Sequence, residues 1–190
     1  MGWSDLIRRR SVRTKTSAVG AAASLAEAIV QSTNLLQTRL AAEGFGWTDP
    51  ARAAADECLL ECTLFEWFLR DIVVLDGFGS HAGAVRQALA GRLLIDLQRS
   101  GLSAGCLHGF ETRCRERFVE YATVLDLSAS LQPLGAVAWR RISGGDEPSE
   151  RMTMLLANRA NAELAGLSDI ARTYAIVERS RSSRPLTEGS

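Results

Sequence analysis

The sequence predicts an all-α protein, built as a single-domain bundle of five to six helices with a basic N-terminal arm and a short disordered C-terminal tail. Apolar residues recur at helical spacing in several long segments, and turns rich in Gly, Ser and Pro separate these segments. No run alternates clearly enough to predict a sheet. We expect the arm at residues 1–16, the helical domain at 17–179 and the polar tail at 180–190.

An apolar stripe marks the first helix, and a capping sequence marks the second. Leu25, Ile29 and Leu36 share one face of a helix predicted over residues 17–42. Asp49 followed by Pro50 is typical of an N-cap with proline at the first helical position. This pattern predicts a central helix that begins there and ends near residue 76.

Polar caps and glycine stops delimit the remaining four helices. Ser80 and Ser130 are each expected to cap a helix, and the stripe containing Phe118 and Tyr121 marks another between them. Two consecutive glycines precede the last helix. The expected helices cover residues 81–99, 104–127, 130–142 and 148–179.

The central helix is apolar almost all the way round, yet it carries two acids on the stripe that should be most buried. At 100° per residue, Thr63, Glu66 and Arg70 form its polar face. A buried carboxylate without a partner costs several kcal/mol, so each of the two acids must pair, bind a ligand, hold a proton or extend beyond the core. The opposite, buried stripe comprises Glu57, Glu61, Leu64, Phe68, Ile72 and Leu75.

The fourth predicted helix offers partners for these acids. Arg113 and Arg117 flank its apolar stripe and Tyr121 lies on it, which indicates a carboxylate, guanidinium and phenol network between the two helices. A second interpretation is that the central helix extends beyond the core, so that the two acids lie in solvent. A third is a small-ligand pocket, in which coupled carboxylates would have raised pKa values. Its ligand-binding residues would be Glu57, Glu61, Arg117 and Tyr121.

Cysteine and histidine residues are weak candidates for a metal site. The spacing is C-x3-C within one helix and C-x7-C in another, whereas structural zinc sites favour C-x2-C on turns. We therefore expect core thiols and no metal. No cofactor is expected either, because neither a phosphate-binding loop nor a dinucleotide fingerprint is present. The candidates weighed are Cys58, Cys62, Cys106, His108 and Cys114.

Charge divides the chain into two parts. Residues 1–17 carry five basic groups and one acid, whereas residues 18–176 carry 14 basic and 19 acidic groups. The arm could dock on an acidic protein, on a neighbouring copy or on an anionic membrane, and a solvated tail is the alternative. The lack of a net basic surface argues against nucleic acid. The expected partner-binding residues are Trp3, Leu6, Ile7, Arg8, Arg9 and Arg10.

These features favour a protein that works by binding protein. No transmembrane span is expected because the longest apolar run contains four charged residues, and the N-terminal charge order is the reverse of a secretory signal, so we expect a cytoplasmic location. Our interpretation is a non-enzymatic interaction or assembly subunit, such as an adaptor, scaffold or chaperone-like protein. Its partner would be a second copy or another subunit. The alternative is a bundle that binds a small ligand or a metal around Glu57 and Glu61, with or without enzymatic activity.

Overall fold

The computed structural model describes residues 14–45, 52–145 and 147–176, with side chains at 16–45, 55–72, 74, 78–145 and 147–165. The fold is all-α, as predicted. No helix in these ranges is both long and apolar enough to cross a membrane. The described part contains seven α-helices: α1 Ala18–Ala42, α2 Arg52–Phe78, α3 Ala82–Arg99, α4 Ala104–Leu107, α5 Phe110–Leu127, α6 Gln132–Ile142 and α7 Glu150–Thr173.

Helix α2 is the centre of the fold. Every residue from Leu60 to Asp71 is buried, so this segment has no solvent-facing side. The helix is enclosed because α1, α3, α5, α6 and α7 all pack against it. An enclosed helix has to bury its polar residues together with its apolar ones, and this determines where the buried charges lie.

Two apolar clusters flank α2. One contains Ile29, Leu64 and Leu89 and joins the first part of α1 to α2 and α3. The other contains Leu36, Phe65 and Leu156 and joins the second part of α1 to α2, α6 and α7. Helix α1 thus crosses both clusters and connects the two sides of the bundle.

Some of the predicted helix starts are confirmed and others are wrong. Ser17 caps α1, its Oγ accepting a hydrogen bond from the Gly20 amide at 3.1 Å. Ser80 does not cap α3, because Gly79–His81 form a 3₁₀ turn that continues directly from α2 into α3. Ser130 does not cap α6 either, since that helix begins two residues later, with proline in its first turn. The predicted start at Asp49 and Pro50 lies outside the described residues.

The predicted fourth helix is divided in two. Gly109 adopts a left-handed conformation, with φ of 72°, and separates α4 from α5. Glycine takes up this conformation without the steric cost that a Cβ would impose. The helix count therefore rises to seven, above the five to six expected.

The last helix is shorter than predicted, and it leads into a small sheet that the sequence did not indicate. Helix α7 ends at Thr173 and is followed at once by strand β2, Tyr174–Ile176. Strand β1, Thr14–Thr16, pairs with it in parallel. Three residues are too few for an alternating pattern to be recognised, which explains why this pair was missed.

Candidate functional site

Glu61 and Arg117 form the ion pair that the sequence predicted. Arg117 Nε donates to Glu61 Oε2 at 2.8 Å, and a terminal Arg117 nitrogen donates to Oε1 at 2.9 Å. Only 6% of the Glu61 side chain is exposed. The hydrogen bonds to Glu61 raise the pKa of the Arg117 guanidinium, which keeps Arg117 charged. The carboxylate is therefore neutralised across the interface between α2 and α5.

The other members of the predicted network behave differently. Arg113 contacts the Glu57 carboxylate, but 47% of the Glu57 side chain is exposed. Tyr121 is fully buried, and its hydroxyl has no hydrogen-bond partner among the described residues. Burial raises the pKa of Tyr121 well above its usual value. The phenol thus lies beside the ion pair without completing a hydrogen-bonded network. A ligand-binding role for Glu57, Glu61, Arg117 and Tyr121 stays a prediction.

The prediction that α2 has a polar, outward-facing side is wrong. Thr63, Glu66 and Arg70 were expected to face outward, yet all three are buried, with Glu66 wholly inaccessible. The reason is that α7 covers this face and supplies Arg159 and Glu163. Arg70 donates to Glu66 Oε2 at 2.8 Å, and Arg159 donates to both Glu66 oxygens at 2.8 and 3.0 Å. The group closes with a contact of 3.1 Å between Arg70 and Glu163.

The cysteines are free thiols in different surroundings. Cys62, Cys106 and Cys114 are buried, and Cys58 is partly buried, with its Sγ 2.9 Å from the Ile142 carbonyl oxygen. Burial raises the pKa of Cys106 to about 11 and that of Cys114 to about 12. In the described ranges, no three His, Cys, Asp or Glu side chains are grouped so that they could hold a metal ion. His108 is exposed in the turn between α4 and α5.

A large groove lies between α3 and α5 in the described part of the chain. Its volume is about 1180 Å³ and its floor is the face of α2 that carries Trp67, Phe68 and Ile72. One wall is α3 from Arg86 to Leu94, and the other is α5 from Phe110 to Asp126. At 1.5 Å per residue the α5 wall is about 24 Å long. We call this feature the aromatic groove.

Aromatic side chains build the inner surface of the groove. The Trp67 ring meets Phe118 edge to face at 5.1 Å and stacks on Phe110 at 6.1 Å. The indole nitrogen of Trp67 has no acceptor among the described residues. On the α5 wall, 62% of Val119 is exposed. Buried rings below and an exposed aliphatic residue above give the groove an apolar lining that reaches solvent.

Charge at the groove is arranged unevenly. Asp71 and Arg86 pair with each other, with Arg86 Nε 2.6 Å from Asp71 Oδ1, and so join α2 to α3. Glu111 and Asp126 are exposed near opposite ends of the α5 wall, with Arg115 between them. Two acids and one base thus remain at the rim once the internal pair is set aside.

Sequence reasoning did not identify this groove. The available signal was the aromatic pair Trp67 and Phe68 on α2, together with the aromatic residues of α5. Nothing in the local sequence indicates that α3 and α5 leave a gap above them. The predicted arm residues, Trp3 and Leu6 to Arg10, lie outside the described ranges. Compared with known proteins, the chain matches no protein-family model, no curated protein and no solved structure.

Proposed function

We propose that this protein is a self-assembling, protein-binding subunit in which the arm of one copy docks in the aromatic groove of another. The observation that carries this proposal is the open groove with its apolar lining and aromatic floor. At about 1180 Å³ it exceeds the 300–1,000 Å³ typical of small-molecule pockets, which favours a polypeptide as its occupant.

The walls of the groove favour a helical occupant. Both walls are helices, whose backbone groups are already hydrogen-bonded within each helix. An extended peptide would find no strand edge there, whereas a helix satisfies its own backbone groups. Ala90, Gly91 and Ala122 on the two walls are small enough for a helix to approach closely.

The arm has the chemistry that such a groove would bind. Trp3, Leu6 and Ile7 are spaced i, i+3 and i+4, so in a helix they would share one apolar stripe. The basic run Arg8–Arg10 follows directly and suits the exposed acids of the rim. Thirteen helical residues would span about 20 Å, which fits within the length of the α5 wall.

The alternative ligand or metal function receives less support. Glu61 is already held by two hydrogen bonds from Arg117, and Glu57 by Arg113. A ligand at these carboxylates would have to displace the guanidinium groups and leave them without their partners.

The decisive experiment compares two variants, one that lacks the arm and one in which a bulky side chain blocks the groove. We expect the full chain to form dimers or larger species, and the chain lacking residues 1–13, which retains β1, to be monomeric with unchanged helix content. Ala122→Trp in the full chain should also give monomers, because the indole would occupy the groove. Ala162→Trp is the matched control, since Ala162 is exposed on α7 and lies outside the groove. Light scattering after size exclusion measures each mass.

A synthetic peptide of residues 1–13 tests the contact directly. The labelled peptide should bind the truncated chain, and binding should weaken with salt and be lost in Ala122→Trp. Equal masses for the full and truncated chains, with no peptide binding, would exclude the proposal. Peptide that binds anionic vesicles and not the groove would assign the arm to membranes instead.

A further inference from the structure

A second cavity lies on another side of α2, between α1 and α3. Its volume is about 540 Å³, within the range of pockets that hold small molecules. Val30 on α1, Leu59 on α2 and Leu97 on α3 line it, and each keeps some of its surface exposed. The cavity shares no lining residue with the aromatic groove, so its occupant can be considered independently of self-assembly.

The charged side chains of the lining leave one acid without a base. Among the described residues they are Glu27 on α1, and Arg92 and Asp96 on α3. Arg92 Nε donates to Asp96 Oδ2 at 2.9 Å, so these two charges compensate each other. Glu27 has no basic partner within the described ranges. The lining therefore carries one net negative charge, which disfavours an anionic ligand and favours a cation.

A side-chain hydrogen bond orients the Glu27 carboxylate. Gln31 follows Glu27 by one helical turn and also lines the cavity, and its amide nitrogen donates to Glu27 Oε1 at 3.3 Å. The bond directs the carboxylate along the face of α1 that borders the cavity. It leaves Glu27 Oε2 and the Gln31 amide oxygen as acceptors. Val30 is three residues after Glu27 on the same face, so apolar surface begins within one turn of the charge.

We infer that this cavity binds an amphiphilic organic cation, a protonated primary amine whose apolar chain lies against Val30, Leu59 and Leu97. An ammonium group has three donors and no acceptor, so it matches the acceptors that Glu27 and Gln31 offer. A ligand carboxylate would be repelled by Glu27, and an alcohol would gain no attraction between charges. Burial of the apolar chain supplies most of the affinity, whereas Glu27 supplies the selectivity for a cation.

The test compares octylamine, 1-octanol and octanoate on the full chain by isothermal titration calorimetry at pH 7. The three ligands share a chain length and differ in charge, since an alkylamine is protonated at this pH, as a lysine side chain is. We expect one octylammonium ion per chain, bound about three- to fivefold more tightly than octanol and at least about tenfold more tightly than octanoate. High salt should reduce the advantage of the amine over the alcohol.

Glu27→Gln tests the charge directly. It keeps the shape of the side chain and should lower the affinity for octylamine to that for octanol, while octanol binding stays unchanged. Glu116→Gln is the matched control, because Glu116 is an exposed acid on α5 that lines neither the cavity nor the aromatic groove. It changes the net charge by the same amount and should leave the affinity for octylamine as it is. Glu27 is exposed as well, so both variants should keep the wild-type melting temperature.

Blocking variants locate the binding. Val30→Trp should abolish binding of octylamine and octanol because Val30 lies at the cavity and is 37% exposed, whereas Val19→Trp, on the same helix and 70% exposed, should not. Ala122→Trp fills the aromatic groove and should leave octylamine binding intact, so this inference can fail or succeed apart from the proposed function. Equal affinity for the three ligands, unchanged octylamine binding in Glu27→Gln, binding lost in Ala122→Trp instead of Val30→Trp, or no saturable binding would each overturn it.

Discussion

Glu66 on α2 and Arg159 on α7 are joined by two hydrogen bonds of 2.8 and 3.0 Å, although no part of the Glu66 side chain reaches solvent. The pair is 93 residues apart in sequence. Arg70 and Glu163 complete the group, so two acids and two bases balance inside the bundle. Removing any one member of such a group is strongly destabilising, because the remaining charges would be left uncompensated in the interior.

Glu66→Gln tests this group. Arg70 and Arg159 would then share only Glu163, and we expect the free energy of unfolding to fall by about 3–5 kcal/mol. Arg92→Met is the control, because it breaks the exposed pair with Asp96 and should cost less than about 1 kcal/mol. Urea unfolding followed by circular dichroism measures both. Similar losses in the two variants would contradict a special role for the buried group.

The pair formed by Glu61 and Arg117 should show strong coupling in a double-mutant cycle. Arg117→Met leaves the Glu61 carboxylate buried and unpaired, which should cost about 3–5 kcal/mol. Adding Glu61→Gln should recover much of that loss, since the uncompensated charge is removed as well. Denaturant unfolding of the wild type, both single variants and the double variant gives the coupling energy. Additive losses would show that the two side chains do not stabilise each other.

Gly135 controls the approach of α6 to α7. A Cβ at this position would overlap the Thr153 carbonyl oxygen and lie 2.9 Å from the Ala157 nitrogen. Gly135→Ala should therefore destabilise the protein by about 1–3 kcal/mol. Gly91→Ala on α3 is the matched control, because no atom lies within 4 Å of the added carbon, and we expect it to stabilise by about 0.5–1 kcal/mol. Opposite shifts in melting temperature would confirm the close contact, and shifts of the same sign would contradict it.

The buried thiols should make the protein less stable at alkaline pH. The pKa of Cys114 is raised to about 12 in the folded protein, whereas an unfolded thiol ionises near pH 8.5, at about its usual pKa. The unfolded state therefore loses its proton first as the pH rises. The contribution of this thiol is complete below about pH 8.5 and declines above it by up to about 1.4 kcal/mol per pH unit.

Urea unfolding between pH 7 and pH 10 measures this decline. Cys114→Ala should start from a lower stability, because it leaves a small cavity, but should lose stability less steeply above pH 8.5. Cys106→Ala should behave similarly, since the pKa of Cys106 is raised to about 11. A slope as steep as that of the wild type in both variants would show that other groups cause the alkaline loss.

The sequence by itself determined the helical class, the extent of most helices and the partner of one buried acid. Apolar spacing of 3.6 residues is a local property, so it can be read without knowing the neighbouring elements. Glu61 could be assigned to Arg117 because each residue lies on or beside the apolar stripe of its own helix, and two such stripes tend to meet.

Only the tertiary structure decided which face of α2 is solvent-exposed, and the answer is that none is between Leu60 and Asp71. The periodicity of one helix shows that Glu66 and Arg70 share a side, but whether that side is covered depends on where a helix from the far end of the chain packs. The aromatic groove has the same origin. The aromatic residues Trp67 and Phe118 can be located in the sequence. The gap above them exists because α3 and α5 each pack on α2 with the groove between them, and this depends on the relative positions of three helices.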